Sequence, residues 1–251
     1  MYVIFASYGN DSIALIQWAK DNNLKDVTVV YSDTGWSSSW WPERVKKAEK
    51  WVERLGFNHS RTNCEGMIGL IKRKKAWPRG GGGKFQFCTE ALKKEPARRW
   101  LDENDPEKEA TCLTGIRRSE SRNRATAPVW VECSPDHGDR ELWQPLVRHE
   151  TRDRNQLVEK SPFEILPYKS KECWPCVNAN KNELKHLEPE RINFIEDLEK
   201  EMGTNSKGNK RVMFSPKKHN GAQGIRNVVL DAKKSTDELI PVRMCESGWC
   251  E

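Results

Sequence analysis

No run of this chain approaches the roughly 18 apolar residues that a membrane span requires. Met1 leads straight into a strand-like segment rather than into a basic region and an apolar signal core. Membrane and secretory classes are set aside on that ground, and the expected compartment is the cytoplasm. No G-x-x-x-x-G-K-[ST] occurs, which excludes a Walker A phosphate loop. The five histidines are scattered with no pair at ligand spacing, so none is assigned to a metal. There is no internal repeat, and no low-complexity tract beyond one glycine run. Excess charge of one sign is also scarce. Forty-three basic residues against 37 acidic ones leave a formal +6, which suits a phosphate-bearing ligand but is too diffuse to define a nucleic-acid surface.

What is present is enough for a folded domain and an appendage, since 251 residues of which 36% are hydrophobic can bury a sizeable core. Eight cysteines in a reducing compartment point to metal or catalytic use rather than to disulfides. Hydrophobic periodicity predicts strand 2–6, helix 11–22, strand 27–32 and helix 42–55, an alternating series that implies a parallel, helix-covered sheet. A third strand is expected over 58–62, a helix over 65–75 and a fourth strand over 110–114. Arg79-Gly80-Gly81-Gly82-Gly83-Lys84 reads as a mobile loop, either a lid or a plain connector. Proline, glycine and charge over 126–139 indicate irregular surface structure, after which Leu142-Trp143-Gln144-Pro145-Leu146 resumes an ordered segment. Helices follow over 151–160 and 189–202, and 203–224 reads as a loop. The expected organisation is an α/β nucleotide-binding domain over 1–150 and a helical or irregular accessory region over 151–251.

The chemistry gathers at strand tips. The first strand runs into Ser7-Tyr8-Gly9-Asn10-Asp11-Ser12 at a helix start, where unpaired N–H groups and the helix dipole favour an anion and Gly9 lets it approach the backbone. The second ends in Asp33-Thr34-Gly35, a carboxylate at the edge where open α/β sheets bind ligands. A capped helix after a turn is the plain alternative for the first.

Three further segments join these two: Phe87-Cys88-Thr89-Glu90-Ala91-Leu92-Lys93, Gly115-Ile116-Arg117-Arg118-Ser119-Glu120-Ser121-Arg122-Asn123-Arg124, and Cys173-Trp174-Pro175-Cys176. In this order, from Ser7 to Cys176, the chain resembles the PP-loop ATP pyrophosphatases, and within them the PAPS reductase-like branch. That branch typically reads S-G-G-K-D-S in the loop and D-T-G after the second strand. Tyr8 and Asn10 stand where the branch has a glycine and a lysine. The resemblance implies a Rossmann-like, HUP-type sheet and an adenine nucleotide, ATP with Mg or PAPS, on Ser7, Gly9, Asn10, Asp11, Ser12, Asp33, Thr34, Gly35, Lys93, Arg117, Arg118, Glu120, Ser121 and Arg124. The lost lysine leaves nucleotide binding better supported than ATP turnover.

Arginine binds phosphate or sulfate bidentately and is always charged, so Arg117, Arg118 and Arg124 are expected against those groups. Surface arginines paired with local glutamates are the plain alternative. Cys88 is placed at a helix start beside Lys93 and Lys94, a setting that lowers a thiol's pKa and makes it a nucleophile. With Asp33 and Arg117 it forms the expected catalytic set. Its single C-T-x-x-L-K is closer to the DNA-phosphorothioation sulfurtransferases than to the cluster-binding reductases, which often carry a cysteine pair there. A buried structural thiol is the alternative.

Cys173-x-x-Cys176, with Cys245 and Cys250, is the expected ligand set for zinc or a 4Fe-4S cluster. A cluster on Cys88, Cys173 and Cys176 is the rival arrangement. Cys64, Cys112 and Cys133 have no such spacing. Trp36, Trp40 and Trp41 follow Asp33-Thr34-Gly35 and serve either base stacking or core packing. The expected activity is ATP-dependent adenylation of an acceptor, with nucleic acid as one acceptor, a sulfur donor protein as partner and Cys88 as sulfur carrier. Reduction of PAPS ranks second, because the ending Ser247-Gly248-Trp249-Cys250-Glu251 is not the reductases' E-C-G-[IL]-H. A binding module without turnover is the third reading.

Overall fold

The computed structural model describes residues 1–81 and 83–234, which leaves Cys245 and Cys250 outside the described residues. Among the described residues the chain divides into two compact units, a larger one of Met1–Gly66 and Thr89–Trp174 and a smaller one of Met67–Cys88 and 175–234.

The larger unit is built on six strands, β1 (Tyr2–Phe5), β2 (Val27–Ser32), β3 (Asn58–Thr62), β4 (Thr111–Leu113), β5 (Trp130–Ser134) and β6 (Arg140–Trp143), in the order β3-β2-β1-β4-β6-β5. All neighbours pair parallel except β5, which runs antiparallel to β6. Strand alternation sends successive side chains to opposite faces. Ile4, Val29, Tyr31 and Leu113 therefore pack on one side with α1 (Asn10–Asp21), α2 (Trp41–Arg54) and α6 (Thr151–Glu159). Val3, Val30, Cys112 and Leu142 pack on the other with Trp100 and Leu101 of α5 (Glu95–Asn104). A sheet covered on both faces needs apolar residues throughout its central strands, and β2 is buried at every position.

The stretch 126–139, expected to be irregular, contains β5. That strand is an edge strand whose residues Trp130, Glu132 and Cys133 are exposed, so it lacks the apolar run by which a strand is recognised.

In the smaller unit α7 (Lys181–Lys185) and α8 (Pro189–Met202) pack on α9 (Ile225–Lys234), burying Leu184, Ile195, Val228 and Val229. The start of the glycine run, Arg79 to Gly81, is tied down. The Gly81 N–H donates to Asn178 Oδ1 at 2.9 Å, the Arg79 N–H to the Phe85 carbonyl at 2.7 Å, and a Cβ at Gly80 would lie 2.5 Å from the Val177 carbonyl oxygen.

Candidate functional site

Strand order reverses between β1 and β4, and in open α/β sheets ligands sit at the carboxyl ends of the strands beside such a reversal. The loop after β1 carries Ser7–Ser12, and the loop after β4 carries Gly115–Arg124. They meet across the reversal, where Arg117 Nε donates to Asp11 Oδ1 at 2.8 Å and both side chains are nearly buried. Arg117 also donates to Thr151 Oγ1 at 3.4 Å. On its other side, Glu120 pairs with Arg124 and lies 3.3 Å from Arg117 NH2. Burial raises the Glu120 carboxyl above its ordinary range, the charge of Asp11 adds to that, and the two arginines oppose it.

Within the first loop the Gly9 N–H donates to Ser7 Oγ at 3.2 Å and Ser12 Oγ donates to the Gly9 carbonyl at 3.3 Å. Tyr8 is held at φ +59°, a left-handed conformation that favours glycine. Asn10 does not stand in for a lysine. Its Nδ2 donates to the Leu166 carbonyl at 2.8 Å and its Oδ1 accepts from the Leu166 N–H at 2.9 Å, so the amide clamps a distant backbone.

Leu166 begins a strap over 166–174 that runs along the loop after β1 and the segment 34–38 after β2. A Cβ on Gly9 would come within 2.9 Å of Ser170 Cβ, so this glycine is required by the strap's close approach. The Ser38 N–H donates to the Lys171 carbonyl at 3.0 Å, Thr34 Oγ1 donates to the Glu172 carbonyl at 3.0 Å, and Trp36 bridges Cys173 in parallel. At the second tip, Asp33 Oδ1 accepts the Gly35 N–H at 2.9 Å, with Gly35 at φ +60°.

The remaining expected residues divide. Arg118 turns away to donate to the Ala127 carbonyl at 2.9 and 2.7 Å. Lys93 and Lys94 direct their amines to Glu172 and Asp136. Cys88 is the second residue of α4 (Phe87–Thr89), which continues through a π-turn, Glu90–Lys94, into α5. Cys173 Sγ lies 3.5 Å from Thr34 Oγ1, and the Asn178 N–H donates to Cys176 Sγ at 3.4 Å. Among the described residues no group of three or more His, Cys, Asp or Glu side chains is arranged to hold a metal. Cys112 is buried, its thiol pushed up to about 12 by desolvation. Trp36 and Trp41 are fully buried core residues, and of the three only Trp40 reaches the surface.

A sequence model described as the phosphoadenosine phosphosulfate reductase domain matches residues 1–179. The chain belongs to that family. It is 34% identical over 140 residues to the phosphoadenosine 5'-phosphosulfate reductase of Xanthomonas oryzae pv. oryzae (strain PXO99A), covering 50% of this chain and 53% of that one. The chain thus spans about half the length of the curated relatives it matches. An uncharacterised 37.8 kDa protein of Escherichia phage 186 is 25% identical over 253 residues, covering 79% of this chain and 74% of its own. Among solved structures it is similar to the phosphoadenylyl-sulfate reductase of Candida auris in its phosphate complex, at 15% identity and a TM-score of 0.46 over 65% of this chain and 74% of that one. It is also similar to the NMN synthetase of Francisella tularensis, at 12% identity and a TM-score of 0.48 over 94% and 84%.

Against this family pattern, the residues that sequence reasoning missed are Arg154 and Glu172. Arg154 NH1 lies 3.6 Å from Asp11 Oδ2, and Glu172 buries the Lys93 amine. Both belong to partners more than 70 positions distant in sequence, and neither lies in a motif. A charged residue at the wall of a helix or beside a C-x-x-C looks like any solvated one.

Proposed function

We propose that this chain binds an adenine nucleotide with its 5′ anhydride against the loop Ser7–Ser12 and opens that anhydride for sulfur chemistry. The observation that carries the reading is the Asp11–Arg117 contact, which brings the helix-start loop and the arginine run together at the strand-order reversal. There, helix-start N–H groups and guanidinium groups serve the same anionic ligand. In the favoured form ATP, with Mg, is split between its α- and β-phosphates, the acceptor takes the adenylate and pyrophosphate leaves. The outer sulfur of Cys88, charged as a persulfide by a sulfur donor protein, then attacks the adenylated acceptor and AMP leaves, and a thiol reductant cleaves the Cys88–S–S–acceptor bond to release the thiolated acceptor. Nucleic acid is one acceptor to test, and a reducing cytoplasm is the compartment in which such thiols persist.

A second reading is favoured by the relatives named phosphoadenosine 5'-phosphosulfate reductase and by Asn10, which brings no charge to the loop. There a thiol attacks the sulfur of PAPS and adenosine 3′,5′-bisphosphate leaves, after which a second thiol attacks the resulting S-sulfonate, releasing sulfite and leaving a disulfide. In either form Cys173 and Cys176, with Cys245 and Cys250, would hold zinc or a 4Fe-4S cluster. Of that donor set Cys173 and Cys176 lie among the described residues, and the Asn178 N–H donates to Cys176 Sγ at 3.4 Å. The group would supply structural or electronic support.

Purified protein is assayed with ATP and with PAPS. Pyrophosphate release from ATP is the expected result, and thiol-dependent sulfite release from PAPS would select the second reading. Nucleotide binding without either product would make the chain a binding module. Arg117→Gln should lose at least about tenfold in nucleotide affinity, the value of a charge-assisted hydrogen bond to an anion. Unchanged affinity in that variant would overturn the site.

A further inference from the structure

We infer that Arg154, a residue outside every motif of the chain, belongs to the nucleotide site: with Arg117 it forms a two-arginine clamp, set by Asp11, for the anionic groups of the 5′ anhydride. The inference rests on the reading above and adds a ligand-binding residue to it.

The geometry is that of one carboxylate spacing two guanidinium groups. Asp11 Oδ1 takes Arg117 Nε at 2.8 Å, and Asp11 Oδ2 faces Arg154 NH1 at 3.6 Å. The second distance is beyond a formed hydrogen bond, so Arg154 meets Asp11 as an ion pair, while its Nε donates to Asn155 Oδ1 at 2.8 Å. All three side chains are largely buried, at 11% exposure for Asp11, 6% for Arg117 and 11% for Arg154.

The same helix makes a second contact. Thr151, one turn before Arg154 on α6, accepts from Arg117 NH1 at 3.4 Å, and residues three apart share a helix face. Because α6 packs along α1, whose first turn carries Asp11, the loop, the arginine run and α6 form one assembly.

Its purpose follows from what the loop itself contains. Ser7-Tyr8-Gly9-Asn10-Asp11-Ser12 has no cation and one carboxylate, and Asn10 is occupied with Leu166. An anhydride resting on this loop carries several negative charges, so its countercharge has to come from outside the loop. Arg117 and Arg154 are the arginines that Asp11 holds there. For stability alone, a second arginine on an already paired and buried carboxylate is a poor device, since apolar packing serves as well or better. Two guanidiniums at a fixed spacing are, in contrast, a good receptor for phosphate or sulfate, which accept bidentately.

The test compares the native chain with Arg154→Gln and Arg117→Gln, measuring by calorimetry the binding of ATP, of PAPS and of adenosine, which has no anionic group. Arg154→Gln is expected to weaken ATP and PAPS by about tenfold to a hundredfold. Adenosine binding should be unchanged, with the melting temperature within about 3 °C of the native value. In parallel, the native protein is treated with an arginine-selective dicarbonyl reagent and its peptides are mapped by mass spectrometry, an arm that does not depend on any variant folding. ATP should protect Arg154, and adenosine should not. If Arg117→Gln loses ATP while Arg154→Gln binds it like the native chain, or if ATP leaves Arg154 as reactive as adenosine does, Arg154 is a structural residue and the inference falls with the site intact. If neither variant changes ATP or PAPS binding, the nucleotide site itself is misplaced and both fall.

Discussion

Tyr8 shows two residue-scale effects in opposition. Its left-handed backbone, φ +59°, costs about 1–2 kcal/mol in a residue that has a Cβ. Its ring is fully buried and stacks on Tyr31 with centroids 5.7 Å apart, while its carbonyl accepts from Arg44 Nε at 2.8 Å. Deleting a buried aromatic side chain costs about 3–5 kcal/mol, which exceeds the strain. Tyr8→Gly, which would restore the glycine of the family loop, should therefore destabilise the protein by about 1–4 kcal/mol in urea unfolding. A variant more stable than the native chain would show that the strain dominates. The turn and helix start of this loop were legible in the sequence, since small and acidic residues favour a helix N-terminus. Their partners were not. Asn10 and Leu166 are 156 positions apart. Nothing local distinguishes an asparagine that clamps a backbone from one that faces a ligand.

At the scale of elements, β1, β2, β4 and the helices α1, α2, α6 and α8 were legible from their apolar residues, while β3, Asn58-His59-Ser60-Arg61-Thr62 with only Thr62 buried, was legible from its place in the alternating series. The strap over 166–174 was not, because its function lies in backbone pairing with 34–38 and in an approach to Gly9 that leaves no periodic trace. The same kind of hidden contact supports α9. Glu199 of α8 accepts the Met213 N–H and the Ile225 N–H, each at 2.9 Å, so its carboxylate satisfies a donor at the first residue of α9. Burial raises its pKa while the two backbone donors lower it. Glu199→Gln keeps one acceptor oxygen and turns an amide donor toward the other N–H, so the smaller unit should lose about 1–3 kcal/mol, the cost of an unsatisfied buried donor. Hydrogen exchange at the amides of Met213 and Ile225 checks it. Unchanged protection in the variant would mean that the carboxylate is dispensable.

For the whole molecule the division into two units sets what a given probe reports. Among the described residues every tryptophan except Trp77 belongs to the larger unit, so indole fluorescence follows that unit's unfolding. Its stability should depend on pH through His137. The ring lies just after β5, 3% exposed, with Nδ1 2.8 Å from Ser134 Oγ and Phe5 at 6.0 Å between ring centroids. Burial lowers its pKa from 6.5 to about 4, and Lys94 and Arg98 add to the effect against Asp136. The sign follows from where the proton binds. In the unfolded chain His137 protonates near pH 6.5, whereas in the folded chain it stays neutral until about pH 4. The stabilisation is therefore complete above the unfolded value and is lost as pH falls through this window, by about 3 kcal/mol in all. His137→Phe retains an aromatic ring that cannot take a proton. Other groups titrate in both proteins, so the difference between their unfolding free energies isolates the histidine. Urea unfolding followed by tryptophan fluorescence at pH 7, 6, 5 and 4 should show the native protein losing stability more steeply than the variant, the gap closing as the pH falls. Parallel losses in the two proteins would mean that His137 takes up its proton equally readily folded and unfolded, and that the acid sensitivity of the larger unit lies in its carboxylates.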